Sequence, residues 1–292
     1  MHGKIIRGIA GFYYVHVPKI GILECKAKGA FRNNKIKPLV GDNVDVEILD
    51  KEKMLGNISD ILDRKNSIIR PSVANVDQAV VIFAASFPKP NLNLLDRFLL
   101  MMQTQKVPTA ICFNKSDDIG TEELEAYAAH YANTDCEVFC TSTVTGDGVK
   151  EFREHIIGKT TVLAGPSGVG KSSLMNVLFP EADMEIGAIS EKIKRGKHTT
   201  RHSELFSLGD DTYVMDTPGF TSLRLPELEK EEIKDYYPEF DEYIGECRFQ
   251  GCVHISEPDC AVKKAVEEKK ISDIRYENYK KFYDEINNIR KY

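Results

Sequence analysis

A glycine-rich segment in the middle of the chain has the residue types and spacing of a phosphate-binding loop. It reads GPSGVGKSS, fits the pattern G-x-x-x-x-G-K-[ST], and lies between the predicted strand TTVLA and the predicted helix SSLMNVLF. Glycines let the backbone curl so that successive N–H groups point at phosphate oxygens, and the helix dipole adds positive potential there. We expect Lys171 to contact the β- and γ-phosphates and Ser172 to ligate Mg²⁺. The other expected phosphate contacts are Gly165, Pro166, Ser167, Gly168, Val169, Gly170 and Ser173.

A second motif, NKSD at residues 114–117, indicates which base is bound. It follows the apolar run TAICF, which is typical of a buried strand. Asp117 is expected to accept hydrogen bonds from the N1–H and 2-amino groups of guanine, and a buried carboxylate there discriminates strongly because adenine lacks these donors. In the same motif, we expect Asn114 to brace neighbouring loops and the Lys115 stem to cover the base plane. Further candidate nucleotide contacts are Ser116 and, more weakly, Thr141 and Ser142 after the run CEVFC.

Two further segments are candidates for sensing the γ-phosphate. DTPG follows the predicted strand TYVM, so we expect Asp216 to hold Mg²⁺ through water and the Gly219 N–H to meet the γ-phosphate. The loop GKHTTR at 196–201 offers Thr199 or Thr200 to complete the Mg²⁺ shell, and the residues alone do not choose between them. The alternative for this loop is a solvated basic segment.

The order of these motifs is the reverse of that in an ordinary GTPase. The base motif comes before the phosphate loop. Chain termini of such domains lie near each other at the surface, so a circularly permuted chain keeps the same sheet. The residues after DTPG are therefore attached directly to the loop that is expected to sense the γ-phosphate.

A cysteine and histidine cluster follows. Its spacing is C-x₄-C-x-H-x₅-C, and three thiolates with one imidazole suit a closed tetrahedral Zn²⁺ shell, so we predict one structural zinc ion. The alternative is four unrelated buried residues. The predicted ligands are Cys247, Cys252, His254 and Cys260, whereas Cys112, Cys136 and Cys140 are predicted to be core thiols and Cys25 is uninformative.

The elements that must position these residues change character along the chain. Residues 1–66 read as short strands, which suits a small barrel such as an OB-fold. Residues 67–225 alternate between strand and helix, which predicts a three-layer α/β domain with a largely parallel sheet. Residues 226–292 contain an acidic patch, the Cys/His cluster and charged helix, which predicts a zinc-binding helical module.

The composition of the chain limits the class of protein to which it can belong. The chain has 292 residues, an odd number of cysteines and a net charge of −6, with no apolar run long enough to span a membrane. We therefore expect a soluble, cytoplasmic protein. Positive charge is concentrated in residues 1–65, 187–202 and 263–292, so local surfaces could still bind RNA. The alternative is that these runs are solvated faces.

The chain resembles the RsgA (YjeQ-type) family of circularly permuted GTPases over nearly its whole length. The resemblance rests on the motifs NKSD, GPSGVGKSS, HTT and DTPG and on the Cys/His spacing. The resemblance implies a GTPase that is stimulated by the small (30S) ribosomal subunit. It would bind that particle late in maturation in the GTP state and leave after hydrolysis. Its cofactors would be GTP/GDP, Mg²⁺ and zinc. Its partners would be 16S rRNA and ribosomal proteins. We expect the protein to be a monomer that contacts neither DNA nor membranes.

GKHTT here replaces the more usual GRHTT, and lysine cannot reproduce a bidentate arginine contact.

Hydrolysis needs an oriented water molecule. Ras-like enzymes place glutamine directly after D-x-x-G, but Phe220 occupies that position here, so intrinsic hydrolysis should be slow. His198 is the candidate for this role in cis, with Lys171 and Thr200 as the other expected catalytic residues; His202 is a weaker rival. The alternative for His198 is an exposed loop histidine or an RNA contact.

Two other functions remain open at this point. The chain could be an RNA-binding module whose nucleotide site is a relic without useful turnover, although Lys171, Ser172 and Asp216 argue against this. It could also be a GTPase that serves another target, such as tRNA or a membrane complex.

Overall fold

The N-terminal part is a closed five-stranded barrel. The computed structural model describes residues 1–27, 37–69, 71–180, 204–217 and 223–289. The barrel strands are β1 (His2–Ile9), β2 (Phe12–Val17), β3 (Gly21–Ala27), β4 (Asn43–Asp50) and β5 (Leu55–Ile61). They pair in the order β1-β2-β3-β5-β4, with β3 parallel to β5. Alternate side chains such as Val44 and Val46 point into the core, as the period of two predicts. The expected OB-fold barrel is confirmed.

A short hairpin joins the barrel to the rest of the chain. Its strands, β6 (Ser67–Ile68) and β7 (Val73–Ala74), were not anticipated. After β7, the Asn75 side chain donates to the Gly41 carbonyl in the barrel at 3.0 Å, and the Asp77 carboxylate accepts from the Thr160 N–H in the sheet at 2.8 Å. These bonds fasten the two parts to each other.

The central domain is built on a six-stranded sheet. Its strands are β8 (Gln78–Ala84), β9 (Thr109–Asn114), β10 (Glu137–Thr141), β11 (Thr160–Ala164), β12 (Phe206–Ser207) and β13 (Tyr213–Asp216). The spatial order is β10-β9-β8-β11-β13-β12, and all neighbours are parallel except the edge strand β12. The strand β8 is buried along its whole length, as expected for a parallel sheet that is covered on both faces.

Helices cover both faces of this sheet. They are α1 (Leu92–Thr104), α2 (Thr121–Ala129), α3 (Val149–Ile156) and α4 (Lys171–Leu178). Phe98 of α1 and Tyr127 of α2 pack in one core, whereas Phe152 of α3 and Leu174 of α4 pack in the other. The predicted three-layer α/β arrangement is therefore present.

The C-terminal part is a small helical module that packs on α1. It contains 3₁₀ helices at Lys230–Tyr236 and Pro238–Tyr243, followed by α5 (Ala261–Glu267) and α6 (Asp273–Ile289). Leu100 of α1 lies in the core of this module. The buried guanidinium of Arg275 pairs with Asp96 at 2.9 Å and with Glu239 at 2.7 Å, which joins α6 to the central domain. Among the described helices, none has the length and apolar character needed to cross a membrane.

Candidate functional site

The motifs predicted from the sequence meet at one edge of the sheet. Parallel strands place their carboxyl ends on the same side, and ligands of open α/β sheets bind there. NKSD follows β9, the phosphate loop follows β11, and Asp216 ends β13. Segments that are far apart in sequence are thereby brought to one crevice.

The phosphate loop has the curled backbone that its glycines predict. Gly165 has a φ of +151°, and a Cβ there would lie 2.1 Å from the Ile82 carbonyl oxygen. Gly170 has a φ of +89°, and a Cβ there would lie 2.5 Å from the Asn114 side-chain nitrogen. Both positions thus require glycine because a side chain would meet a neighbouring strand or loop.

The base motif is hydrogen-bonded directly to the phosphate loop. Asn114 Nδ2 donates to the Val169 carbonyl at 3.0 Å, and Lys115 Nζ donates to the Gly168 carbonyl at 2.8 Å. The buried Thr141 hydroxyl donates to Asn114 Oδ1 at 3.1 Å, which orients the amide. Thr141 is therefore a positioning residue for Asn114, a role that its place after CEVFC did not indicate.

The residues expected to read the base differ in exposure. Ser116 and Asp117 lie in a short 3₁₀ helix, and the Asp117 side chain is exposed. The carboxylate that we expected to be buried is therefore accessible in this structure, and a bound base would have to cover it. Ser142 Oγ accepts hydrogen bonds from the Val144 and Thr145 N–H groups at 3.1 and 3.0 Å, so this hydroxyl shapes the loop after β10.

Lys171 and Asp216 form the charged centre of the site. Lys171 Nζ donates to the Gly165 and Pro166 carbonyls at 2.7 and 2.9 Å. Burial lowers the pKa of Lys171 and raises the pKa of Asp216, while the charge of each partner opposes the shift of the other.

The carboxylate of Asp216 also fits a magnesium site. The Thr217 hydroxyl next to it donates to the Leu163 carbonyl at 3.0 Å, which fixes the end of β13. The Asp216 Oδ1 atom is buried without a hydrogen-bond partner among the described residues, which leaves this oxygen available to a ligand. Ser172 supplies a hydroxyl at the start of α4, and oxygen atoms are the ligands that Mg²⁺ prefers.

Several predicted site residues lie outside the described residues. These are His198, Thr199, Thr200 and Gly219, together with Phe220 and the rival His202. Of the remaining phosphate-loop candidates, Ser167 and Ser173 are exposed to solvent.

The four predicted zinc ligands lie together in the C-terminal module. All their ligand atoms are within 4.8 Å of one another. Cys247 Sγ is 3.8 Å from Cys260 Sγ and 3.6 Å from His254 Nδ1. Ligands in a tetrahedral zinc site, with Zn–S at about 2.3 Å and Zn–N at about 2.0–2.1 Å, would be separated by about 3.8 and 3.6 Å. The donor set and its spacing therefore fit zinc.

Neighbouring groups hold this cluster in shape. The Ala261 N–H points to Cys247 Sγ at 3.4 Å, and the Tyr276 hydroxyl donates to the His254 carbonyl at 2.6 Å. Glu257 accepts three backbone N–H bonds within the same loop, and this bonding lowers its pKa despite some desolvation. Burial raises the pKa of the Cys252 thiol to about 12, so metal binding must displace its proton. Glu257 and Tyr276 did not stand out in the sequence, because their role is to bond the backbone of the cluster.

Comparisons with family models match most of the chain. A model described as RsgA GTPase matches residues 61–226, and one described as RsgA N-terminal domain matches residues 2–56. A curated relative from Agathobacter rectalis, the small ribosomal subunit biogenesis GTPase RsgA, is 55% identical over 302 residues and covers 100% of both chains. A relative of the same name from Alkaliphilus metalliredigens is 45% identical and covers 99% of both chains.

Solved structures agree with this assignment. YloQ, described as a circularly permuted GTPase, has a TM-score of 0.77 at 37% identity and covers 98% of this chain and 95% of its own. YjeQ from Thermotoga maritima has a TM-score of 0.79 at 32% identity and covers 98% of both chains. The permuted order predicted from the sequence is confirmed. The chain belongs to the RsgA GTPase family and is a circularly permuted GTP hydrolase.

Proposed function

We propose that this GTPase acts in the cytoplasm in the biogenesis of the small ribosomal subunit. The 3.0 Å bond from Asn114 to the Val169 carbonyl supports the nucleotide-binding part of this proposal, because it joins the base motif to the phosphate loop beside the exposed Asp117. Relatives that match over their full length are named for this role. We assign residues 1–66 to the RNA-binding barrel, 67–225 to the GTPase domain and 226–292 to the zinc module of a monomer.

GTP binding would rearrange the charged centre. Lys171 would exchange the Gly165 and Pro166 carbonyls for β- and γ-phosphate oxygens. Ser172 and Asp216 would hold Mg²⁺, which when bound neutralises charge that develops on the phosphates.

Hydrolysis would depend on a group other than the Ras-like glutamine. We assign water orientation to His198, whose neutral imidazole accepts a hydrogen bond from the attacking water. The γ-phosphate contact is assigned to the Gly219 N–H, and the last Mg²⁺ ligand to Thr199 or Thr200. His198→Ala should lower turnover stimulated by the small subunit while GTP affinity stays intact. Unchanged stimulated turnover would remove His198 from the mechanism.

The GTP form would bind the particle, and hydrolysis would release it. Barrel and C-terminal helix would contact rRNA mainly through phosphate and shape. The test is co-sedimentation with small subunits in the presence of a GTP analogue or GDP, combined with phosphate release with and without subunits. We expect retention with the analogue, release with GDP and faster phosphate release with subunits. Sedimentation that ignores the nucleotide, or turnover that ignores the particle, would contradict the proposal and favour another target.

The Cys/His cluster would hold one structural zinc ion. Three thiolates and one imidazole complete a tetrahedral shell and leave no open position for a substrate. Zinc at this site would therefore stabilise the module and take no part in hydrolysis.

A further inference from the structure

The loop between β8 and α1 lies beside the nucleotide site and displays an aromatic side chain. The loop covers residues 85–91 and reads ASFPKPN. Phe87 is 80% exposed, compared with 44% for Phe249, the other phenylalanine among the exposed large apolar side chains of the described part. None of the roles assigned so far to the phosphate loop, the base motif or the metal cluster uses this side chain.

Hydrogen bonds attach the first half of this loop to the base motif. The Ala85 N–H donates to the Asn114 carbonyl at 2.7 Å, and the Ser86 hydroxyl donates to Asp118 at 2.9 Å. Lys115 Nζ donates to the Phe87 carbonyl at 2.7 Å and also to the Gly168 carbonyl. One ammonium group thus holds both the phosphate loop and the backbone of the exposed phenylalanine.

The second half of the loop is equally restrained. Pro88 and Pro90 restrict the backbone through their fixed φ angles, and Pro90 is buried. Asn91 caps α1, since its side chain accepts from the Leu94 N–H at 3.1 Å. The loop therefore presents Phe87 on an ordered backbone, and a partner would lose little entropy in binding it.

The neighbouring groups favour a nucleic acid partner. Lys89 is exposed two residues after Phe87 and gives the loop a positive charge. Asp117 of the adjoining base motif and Asp118 directly after it are acidic, and Lys115 and Lys89 equal them in number. A flat exposed ring next to a lysine suits an unpaired base stacked on the ring with its phosphate near the ammonium group.

We propose that Phe87 and Lys89 form a contact for single-stranded RNA at the rim of the nucleotide site. The proposal rests on the proposed function, because it assumes that the target particle contains RNA. A base that stacks on Phe87 would lie next to the loop that Lys115 ties to Gly168. RNA bound there would contact the ordered wall of the nucleotide site and not a remote surface.

A fluorescence experiment tests this contact directly. The chain contains no tryptophan, so Phe87→Trp introduces a single reporter. The matched control is Ile69→Trp, since Ile69 is 78% exposed but lies in the β6–β7 hairpin. We expect a ten-nucleotide oligoadenylate to quench the tryptophan at position 87 and not the one at position 69, and Lys89→Glu to weaken this binding. Equal responses at both positions, or none at position 87, would overturn the proposal.

A second measurement uses the small ribosomal subunit itself. Phe87→Ala should weaken co-sedimentation by about fivefold or more, the range expected for the loss of one stacked base, and Phe87→Tyr should restore it. GTP affinity is measured on the same variants. If Phe87→Ala sediments with subunits and binds GTP as well as the parent chain does, only this contact is overturned. If the parent chain itself fails to sediment with subunits, the proposed function is overturned. A response to whole subunits but not to RNA would overturn the proposal in favour of a protein partner.

Discussion

At the scale of single residues, the proposed selection of guanine would depend on one exposed carboxylate, that of Asp117. Asp117 lies at the surface in a 3₁₀ helix, while Asn114 and Lys115 of the same motif are bonded to the phosphate loop. Two side chains of the motif thus brace the crevice, and the third is exposed where we propose that the base binds.

This division predicts the effect of Asp117→Asn. The amide cannot accept two hydrogen bonds from guanine, so GTP affinity should fall by about 10²-fold or more. Xanthosine triphosphate should bind better than GTP, because its ring carbonyl can accept from the new amide. Calorimetry with GTP, ATP and xanthosine triphosphate checks this. Asp118→Asn is the control, and equal losses in both variants would contradict the assignment.

The phosphate loop gives a second prediction at the residue scale. Gly165→Ala would place a Cβ 2.1 Å from the Ile82 carbonyl oxygen, so the loop must shift and nucleotide binding should be lost. Gly158→Ala is the control, because it also has a positive φ, +75°, but nothing lies within 4 Å of the added Cβ. Binding of a fluorescent GTP derivative distinguishes the two. Similar affinities would show that close approach to β8 is not required.

The role of a single residue could be predicted from the sequence only where it follows from the residue's type and its place in a motif. Lys171 was predictable because the spacing of a phosphate loop is specific, whereas Asp216 was singled out only by its position after an apolar strand downstream of that loop. The roles of Thr141 and Ser142 were not predictable in the same way. Their hydroxyls bond to Asn114 and to nearby backbone N–H groups, contacts that depend on how β9 and β10 pair in space.

At the scale of elements, the join between α1 and α6 is made by buried charge. Arg275 is 3% exposed, and its partners Asp96 and Glu239 are 0% and 6% exposed. Asn278 adds a 2.7 Å bond to Asp96. Such a network costs desolvation, but it fixes one orientation because any shift leaves charges unpaired.

Removing the cation of this network should be strongly destabilising. Arg275→Met leaves two buried carboxylates without their partner, and the free energy of unfolding should fall by about 3–5 kcal/mol. Lys150→Met is the control, since the ion pair of Lys150 with Glu154 is exposed and its loss should change stability by less than about 0.5 kcal/mol. Urea denaturation measures both. A small effect at Arg275 would mean that the network contributes little.

The Cys/His cluster gives a prediction for the same module. Cys252→Ser should lower bound zinc below one ion per chain and reduce the melting temperature, because it removes one of the four proposed metal ligands. Cys140→Ser, outside the cluster, should keep its zinc. Elemental analysis by mass spectrometry and thermal melting check this. Full zinc occupancy in the Cys252 variant would rule out this ligand set.

Strand and helix positions in the central domain were predictable because continuous apolar runs marked the buried strands and amphipathic patterns marked the helices. The β6–β7 hairpin was not, since strands of two residues have no period. The Asp96–Arg275 pair was also beyond the sequence, because the two residues are 179 positions apart and charged side chains are ordinarily exposed.

At the scale of the whole molecule, the barrel, the central domain and the C-terminal module are held together by contacts outside the phosphate loop. Asn75 and Asp77 fasten the barrel to the sheet, and His16 Nδ1 lies 2.8 Å from the Tyr213 hydroxyl. Arg275 and Asp96 hold the C-terminal module on α1. None of the residues in these bonds belongs to the proposed nucleotide site.

We therefore predict that the three parts keep their arrangement through the GTPase cycle. Small-angle X-ray scattering profiles with GDP and with a GTP analogue should superimpose, with a radius of gyration of about 19 Å for a compact chain of this length. The Arg275→Met variant is the comparison in which the module is free to move. A change in the wild-type pair-distance distribution on nucleotide exchange would contradict a fixed arrangement.

The hydrogen bonds made by residues 74–77 have a practical consequence for dividing the chain into fragments. A cut near residue 66 would remove two donors that bond to barrel carbonyls. These are the Ala74 N–H, which donates to the Val40 carbonyl, and the Asn75 side-chain amide, which donates to the Gly41 carbonyl. A cut after residue 77 would instead take from the sheet the carboxylate that receives the Thr160 N–H. Either cut leaves one fragment with backbone groups that have lost their hydrogen-bond partners. The barrel and the GTPase domain should therefore be expressed together as one polypeptide.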